Sequence, residues 1–237
     1  MKARLERYGA PPELAAWLRD VGAADAWDGS DKPEWLLWLG AAAETPVEQL
    51  LEAVGGVVRS VIEGYPEPLR APLDGVFANL RGEVDALAAA LQQAEGYGHG
   101  PPASYRHAPP AGYVHGVRAA VLFGRATEAL VAAEARLAAV EGQAALERAA
   151  AVGVPPSLMT RRLDPLVLRP VGPGAGPLQQ ELGYAVALAS DALEEASLAL
   201  AGGHDGVALE EAEGELSEFM HTALEDLRDD VIARLRG

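Results

Sequence analysis

The sequence predicts an all-α protein, a multi-helix bundle of roughly seven to eight helices with two long irregular loops. Hydrophobic residues make up 49% of the chain and aromatic residues only 5%, since Ala, Leu and Val supply most of the apolar positions. Alanine has the highest helix propensity and lets helix backbones approach each other closely. Apolar residues also recur three and four positions apart along most of the chain, which is typical of helices with one buried face.

A tryptophan-rich helix is predicted over about 31–44, after a short helix at about 11–20. Asp31 as the cap, Pro33 in the first turn and Glu34 three residues after Asp31 form a capping-box pattern. The apolar run that follows covers nearly the whole circumference of the helix, so we expect it to lie inside a core. That core is expected to contain these residues: Trp17, Trp27, Trp35, Trp38, Val54, Val58 and Leu73.

The next helix has the clearest start signal in the chain. Thr45 as N-cap, Pro46 at the first position and Glu48 at the third favour a helix beginning here. Its buried face is predicted from the three-and-four spacing of Val47, Leu50, Leu51, Val54, Val58, Val61 and Ile62. We expect Gly55 and Gly56 either to bend this helix or to let a neighbouring helix approach.

Four more helices complete the bundle. They are predicted over 69–95, 114–152, 178–201 and 207–236, with irregular segments rich in Pro and Gly at 96–113 and 153–177. In the last helix the inward residues are expected to be Leu216, Phe219, Ala223, Leu227, Val231 and Leu235. We interpret residues 1–237 as one helical domain; the alternative is two lobes, a tryptophan-containing lobe at 1–95 and an Ala/Leu-rich lobe at 114–237.

Charge and composition restrict the function. The 19 basic and 35 acidic residues give a formal charge of -16, which opposes binding to nucleic acid or anionic membranes and suits a basic protein partner. The chain has no cysteine, so disulfides and thiolate chemistry are excluded. The charged N-terminal residues and the absence of an apolar run of about 18 residues predict a cytoplasmic protein without a membrane span.

The irregular segment at 96–113 is the first candidate recognition site. A sequence beginning Tyr-x-His repeats there every eight residues and concentrates Tyr, His and Arg, side chains that are frequent in interface hot spots. The predicted partner-binding residues are Tyr97, His99, Tyr105, Arg106, His107 and Tyr113. A metal site would need three or four converging ligands, and the repeat explains the histidine spacing without one.

The last helix carries the second candidate. Glu218 and His221 have the Glu-x-x-His spacing of di-iron helical bundles, but such sites need a second copy and two further carboxylates. We therefore interpret His221 as a histidine on a solvated face, beside an acidic stripe that a basic partner would meet. We define this acidic stripe as Glu211, Glu215, Glu218, Glu225 and Asp229.

Signatures of enzymes are otherwise missing from the sequence. It contains no dinucleotide-binding glycine motif, no P-loop, no His-Glu-x-x-His and no Gly-x-Ser-x-Gly. We therefore predict a protein that is not an enzyme and needs no cofactor.

The segment Trp27–Leu39 resembles a motif of a family of helical immunity proteins from bacterial polymorphic-toxin systems. That motif has a leading Trp, a charged turn and then Asp-Trp-Leu-Leu-Trp-Leu; Trp27, Trp35 and Trp38 match its tryptophans, and Asp31 lies in its charged turn. The resemblance implies a helical fold, a largely structural role for the motif, and a protein that neutralises a cognate toxin, here a basic toxin domain. The alternatives are a metal-dependent helical-bundle enzyme using Glu218 and His221, and a structural scaffold that self-assembles as a homo-oligomer.

Overall fold

Helices and the turns between them make up the part of the chain that the computed structural model describes, residues 1–19, 21–78, 89–94, 110–151, 177–203 and 206–236. No strand occurs in these residues, so the all-α prediction is confirmed. A 3₁₀ turn, Glu225–Leu227, precedes the last helix. The helices are α1 (Lys2–Tyr8), α2 (Pro12–Trp17), α3 (Ala23–Asp28), α4 (Pro33–Ala42), α5 (Val47–Glu63), α6 (Glu67–Ala78), α7 (89–94), α8 (Tyr113–Ala151), α9 (Pro177–Leu200), α10 (Gly206–Ala223) and α11 (Arg228–Arg236).

The start of α4 differs from the predicted capping box. The N-cap is Lys32, with no side-chain cap hydrogen bond, and Asp31 is exposed. Pro33 occupies the first helical position, where its fixed φ angle favours the helix and no N–H is needed. Because the helix begins at the proline, Asp31 lies one residue too early to be its cap. The prediction that Asp31 caps α4 is therefore wrong.

The turn from α4 to α5 also corrects a prediction, that Thr45 caps α5. The N-cap of α5 is Pro46, and Thr45 instead belongs to the end of α4. There the Thr45 N–H donates to the Gly40 carbonyl at 3.0 Å and the Glu44 N–H to the Ala41 carbonyl at 2.9 Å. This is a Schellman ending, with Glu44 in the left-handed conformation at φ 60°.

Glycines allow close packing at two helix contacts, that of α5 with α8 and that of α9 with α1. A Cβ atom added to Gly55 of α5 would lie 2.6 Å from the Phe123 ring of α8, whereas one added to Gly56 would meet nothing within 4 Å. The expectation that a neighbour approaches this Gly-Gly pair is thus confirmed for Gly55. A Cβ on Gly183 of α9 would lie 2.5 Å from the Tyr8 carbonyl, so the backbone at the end of α1 packs directly against the backbone of α9.

One hydrophobic core joins the helices on both sides of residues 96–113. Its buried members extend from Leu5 in α1 to Leu235 in α11, and α4 and α5 both pack on α9. The described residues of 1–95 and 114–237 therefore contribute to one hydrophobic cluster. None of the described helices combines the length and the apolar character needed to cross a membrane.

Candidate protein-binding surface

The tryptophans of the motif build the core. Trp27 is 1% exposed and Trp38 is 3% exposed. Trp35 is half-buried, and its ring lies 4.9 Å from that of Trp17 with a tilt of 48°. The predicted core residues accordingly lie in one cluster or against it. These side chains leave little aromatic surface for a partner to contact.

His221 of α10 anchors this motif through the backbone. Its Nε2 lies 2.8 Å from the Trp27 carbonyl oxygen and its Nδ1 lies 2.7 Å from the Ser217 carbonyl oxygen. The half-buried ring lies between α10 and α3, so the prediction that His221 sits on a solvated face is wrong. The sequence pattern missed this because His221 borders the buried positions of α10 and also neighbours the acidic ones.

The Glu218 carboxylate and the His221 ring do not form a metal site together. Glu218 is exposed, while both ring nitrogens of His221 are engaged by carbonyl oxygens. In the described part of the chain, no group of three or more His, Cys, Asp and Glu side chains is placed to hold a metal ion. This geometry gives no support to the metal-dependent enzyme alternative.

Two further contacts attach the C-terminal helices to the connection between α3 and α4. The Ser217 hydroxyl donates to the Ser30 carbonyl at 2.6 Å. The Arg228 guanidinium pairs with Asp28, with Nε 2.7 Å from Oδ1, and these hydrogen bonds lower the pKa of the Asp28 carboxyl. Together with His221, these residues fix α10 and α11 against the tryptophan motif.

The predicted recognition residues of the irregular segment are only partly described. Tyr97, His99, Tyr105, Arg106 and His107 lie outside the described residues.

Tyr113 is described and is 6% exposed at the start of α8. Its hydroxyl donates to the Leu69 carbonyl at 3.1 Å, and its ring meets the edge of the Tyr65 ring at 5.2 Å between centroids. The prediction that Tyr113 contacts a partner is wrong, because its side chain packs in the core.

The acidic stripe lies on the surface, as expected. All five of its carboxylates belong to exposed residues along α10, the 3₁₀ turn and α11: Glu211, Glu215, Glu218, Glu225 and Asp229. Asp229 is partly neutralised, since Arg228 Nη1 lies 2.8 Å from its Oδ1. The rest of the stripe presents negative charge to solvent.

A groove of about 620 Å³ runs beside the stripe, between α5 and the segment from α10 to the 3₁₀ turn. We call it the α5–α10 groove. Small and apolar residues line it, including Gly56, Val57 and Phe219, and the carboxylates of Glu52 and Asp226 also line it. Its described lining residues include no Lys or Arg, so the charged side chains among them are both carboxylates, beside the neutral polar Gln49, Ser60 and Thr222.

Phe219 is among the residues of this groove that the sequence placed wrongly. It was expected to point inward, but its side chain is 43% exposed. Ala223 is also exposed and Leu227 is half-buried, whereas Leu216, Val231 and Leu235 are buried as expected. The buried stripe of α10 instead continues through Met220 and Leu224.

A signal for the groove was present in the sequence. Phe219 lies four residues after Glu215 and three before Thr222 on α10, so one face of this helix carries an aromatic ring among polar side chains. Gly56, on the facing helix, offers no side chain to cover that ring.

Comparison with known proteins adds no relative to these observations. No family model matches the chain, and neither the curated proteins nor the solved structures gave a match.

Proposed function

We propose that this chain is a non-enzymatic protein-binding protein, an immunity protein that neutralises a bacterial toxin by binding a basic surface of the toxin domain. The observation that carries the proposal is the α5–α10 groove, where the exposed ring of Phe219 is framed by Glu52, Asp226 and the neighbouring acidic stripe.

The apolar part of the groove would supply affinity. Phe219 is half-exposed, so part of its ring is accessible to a partner. The space next to Gly56 is empty, so an apolar side chain of the partner can pack there. Interfaces draw most of their energy from a few such anchors at their centre. The groove is therefore suited to accept one or two apolar side chains.

The carboxylates would supply selectivity. Glu52 and Asp226 line the groove, and the acidic stripe continues along α10 and α11 beyond it. Complementary charge increases the rate of association and disfavours partners of like charge. A basic protein surface fits this arrangement, whereas nucleic acid would be repelled.

The tryptophan motif supports the immunity assignment in a structural way. It resembles the motif of helical immunity proteins, and in this chain the Trp27 carbonyl is bound by His221 of α10. Phe219 lies on the same helix, two residues earlier. The motif thus positions the helix that forms one wall of the groove, and an immunity protein of this kind would act by occluding the basic surface of the toxin.

The proposal is tested by affinity capture from the native host followed by mass spectrometry, with the wild-type chain and three variants as bait. Gly56→Leu fills the groove, Phe219→Ser removes its apolar ring, and Gly214→Leu is the control. Gly214 is a helical glycine outside the groove, and a Cβ atom added there meets nothing within 4 Å. We expect a basic protein to be captured by the wild type and the control and lost with both groove variants.

The captured protein is then expressed in a sensitive host with and without this chain. Growth arrest that the wild type relieves and Gly56→Leu does not relieve is the expected result. Capture of an acidic protein, or capture that both groove variants retain, contradicts the proposal. Recovery of this chain alone also contradicts it and points to the scaffold alternative, which light scattering of the purified protein measures.

A further inference from the structure

A second cavity lies beside the turn between α4 and α5. Its volume is about 500 Å³, and it shares no lining residue with the α5–α10 groove. Ligand sites for small molecules commonly have volumes of about 300–1,000 Å³. We call this cavity the turn pocket. Its apolar wall is formed by Val47 of α5 together with leucines of α8 and α9: Leu130, Leu137, Leu178 and Leu182.

The backbone at the rim of the turn pocket is strained. Among the described residues, Glu44 is the only one other than glycine with a positive φ, at 60°. Glycine is the usual residue at this position of a Schellman ending, because a Cβ atom crowds the backbone there. Strain of this kind persists where the surrounding structure enforces it, and it concentrates at functional sites. Glutamate at position 44 therefore makes the fold less stable than glycine would at the same position.

A buried hydroxyl lies in the wall next to Glu44. Thr45 is 6% exposed and lines the pocket, yet its Oγ1 has no hydrogen-bond partner. Buried polar groups in proteins are nearly always paired. The Oγ1 atom has almost no accessible surface, so a ligand would reach it only after the Thr45 side chain turned toward the pocket.

The charged side chains that line the described part of the turn pocket are all carboxylates. Glu44, Glu48 and Glu134 line it with exposed carboxylates, and its described lining residues include no Lys or Arg. The nearby Arg136 is paired with Glu181. The end of α4 adds the negative end of its dipole, while Glu48 lies in the first turn of α5 and offsets the positive end of that helix.

Tyr8 adds a second hydroxyl at this rim. Burial raises the pKa of the Tyr8 phenol, and the Glu44 carboxylate raises it further, while Arg7 and Arg4 lower it. Tyr8 and Glu44 both line the turn pocket. A phenol hydroxyl and a carboxylate therefore border the same cavity, and each can accept a hydrogen bond from an ammonium group.

We propose that the turn pocket binds a small amphipathic cation, an alkylamine whose tail packs on Leu137, Leu178 and Leu182 and whose ammonium group lies at the rim lined by Glu44 and Tyr8. This ligand gives the strained Glu44 a binding role. The site is independent of the proposed protein partner, since the two cavities have different walls.

Calorimetric titration of the full chain with octylammonium and with octanoate tests the proposal, because the two probes share a tail length and differ in charge. We expect octylammonium to bind with a Kd of about 1 mM or lower, and octanoate at least about tenfold more weakly. Glu44→Gln keeps the side-chain size and removes the charge, so it should weaken octylammonium binding by about tenfold.

Leu137→Ser tests the tail contact at a position that is 41% exposed and therefore tolerant of substitution. It should weaken both probes. Glu218→Gln, which removes the same charge from the acidic stripe, is the control and should leave the affinity for octylammonium unchanged.

Three results would each overturn the proposal. They are the absence of octylammonium binding at about 10 mM, an affinity for octanoate that equals or exceeds that for octylammonium, and an affinity that neither Glu44→Gln nor Leu137→Ser reduces. Glu44→Gly provides a separate readout: relief of the left-handed strain should raise the Tm while octylammonium binding is weakened. A lower Tm with unchanged binding would also contradict the assigned role of Glu44.

Discussion

Glu34 is a half-buried carboxylate in the first turn of α4. Burial raises its pKa above the ordinary value of 4.5, and the carboxylates of Glu213 and Glu194 act in the same direction, although its own backbone N–H and Lys32 oppose them. The folded state therefore disfavours the charged form more than the unfolded state does. The free-energy cost of the charged form is absent well below pH 4.5 and grows as the pH rises through the raised pKa.

We expect Glu34→Gln to raise the Tm at neutral pH, because glutamine keeps the size and the hydrogen-bond acceptor without the charge. The gain should shrink on acidification and disappear at about pH 4. Thermal unfolding of both proteins across this pH range measures the difference. A gain that stays constant with pH would show that the charge of Glu34 is not its cause.

Trp27 and Trp35 are predicted to differ in what they contribute to stability. The sequence indicates that Trp35 lies in an all-apolar helix, which alone would predict a loss of about 3–5 kcal/mol for Trp35→Ala. In the structure Trp27 is 1% exposed, so we expect the loss of about 3–5 kcal/mol for Trp27→Ala instead. Trp35 packs on Trp17 at the edge of the core with Lys32 over its ring, so its replacement should cost less than half as much.

Urea unfolding of Trp27→Ala and Trp35→Ala measures both losses under the same conditions. Equal losses would mean that Trp35 is as enclosed as Trp27. The run of five apolar residues predicted burial correctly for Leu36, Leu37, Trp38 and Leu39. It could not show that the Trp35 ring lies at the edge, because that depends on the neighbouring helix α2.

At the scale of the helices, Gly55 and Gly56 form a matched pair in α5. Gly55→Ala places a methyl group against the Phe123 ring, with a contact of 2.6 Å, whereas Gly56→Ala places it in open space. We expect Gly55→Ala to destabilise the fold by about 1–3 kcal/mol through overpacking. Gly56→Ala should stabilise it by up to about 1 kcal/mol through helix propensity.

Chemical denaturation of these two variants compares neighbouring positions with the same substitution, so each is the control for the other. A loss of stability in both would indicate that α5 needs flexible backbone here and is not limited by its contact with α8. A gain in both would mean that the Phe123 ring moves aside without cost.

The positions of the helices were largely predictable, and their ends were not. The three-and-four spacing in α5 predicted seven buried residues from Val47 to Ile62, and all of them are buried. The predicted cap of α5 was wrong because Thr45 could either cap α5 or belong to the end of α4. Its N–H donates to the Gly40 carbonyl in the Schellman ending of α4, and Pro46 is the N-cap of α5. Caps depend on the path of the preceding turn, which periodicity does not encode.

Of the candidate site, only the acidic stripe could be predicted from the sequence. The exposure of the acidic stripe follows from residue spacing alone, because water solvates these carboxylates and no contact with another helix is needed. The α5–α10 groove requires knowing that Gly56 faces Phe219 across two helices far apart in sequence. The spacing of residues in α10 is compatible with Phe219 on the buried face or on the exposed face of the helix. The packing of α5 against α10 places it on the exposed face.

At the scale of the whole molecule, the net charge of -16 opposes compaction. Repulsion between surface carboxylates is screened over about 10 Å at 0.1 M salt and over about 3 Å at 1 M. We expect the Tm at pH 7 to rise as sodium chloride is increased over this range, since the folded state brings the acidic residues closer together. Scanning calorimetry measures the rise.

The matched control is the same salt series near the sequence pI of about 4.7, where the net charge is close to zero. There the salt effect should be much smaller. An equal rise at both pH values would attribute the effect to salting-out of apolar surface, not to screening of charge.

The hydrogen bond between His221 and the Trp27 carbonyl has a consequence for biosynthesis. The two residues are 194 positions apart, and a ribosome that adds about 5–20 residues per second needs roughly 10–40 s to make the intervening chain. During this interval the tryptophan helices have already been translated but lack the C-terminal helices that cover them. Until the last two helices emerge, the tryptophan motif of the nascent chain therefore lacks the contact that His221 makes with it in the folded protein.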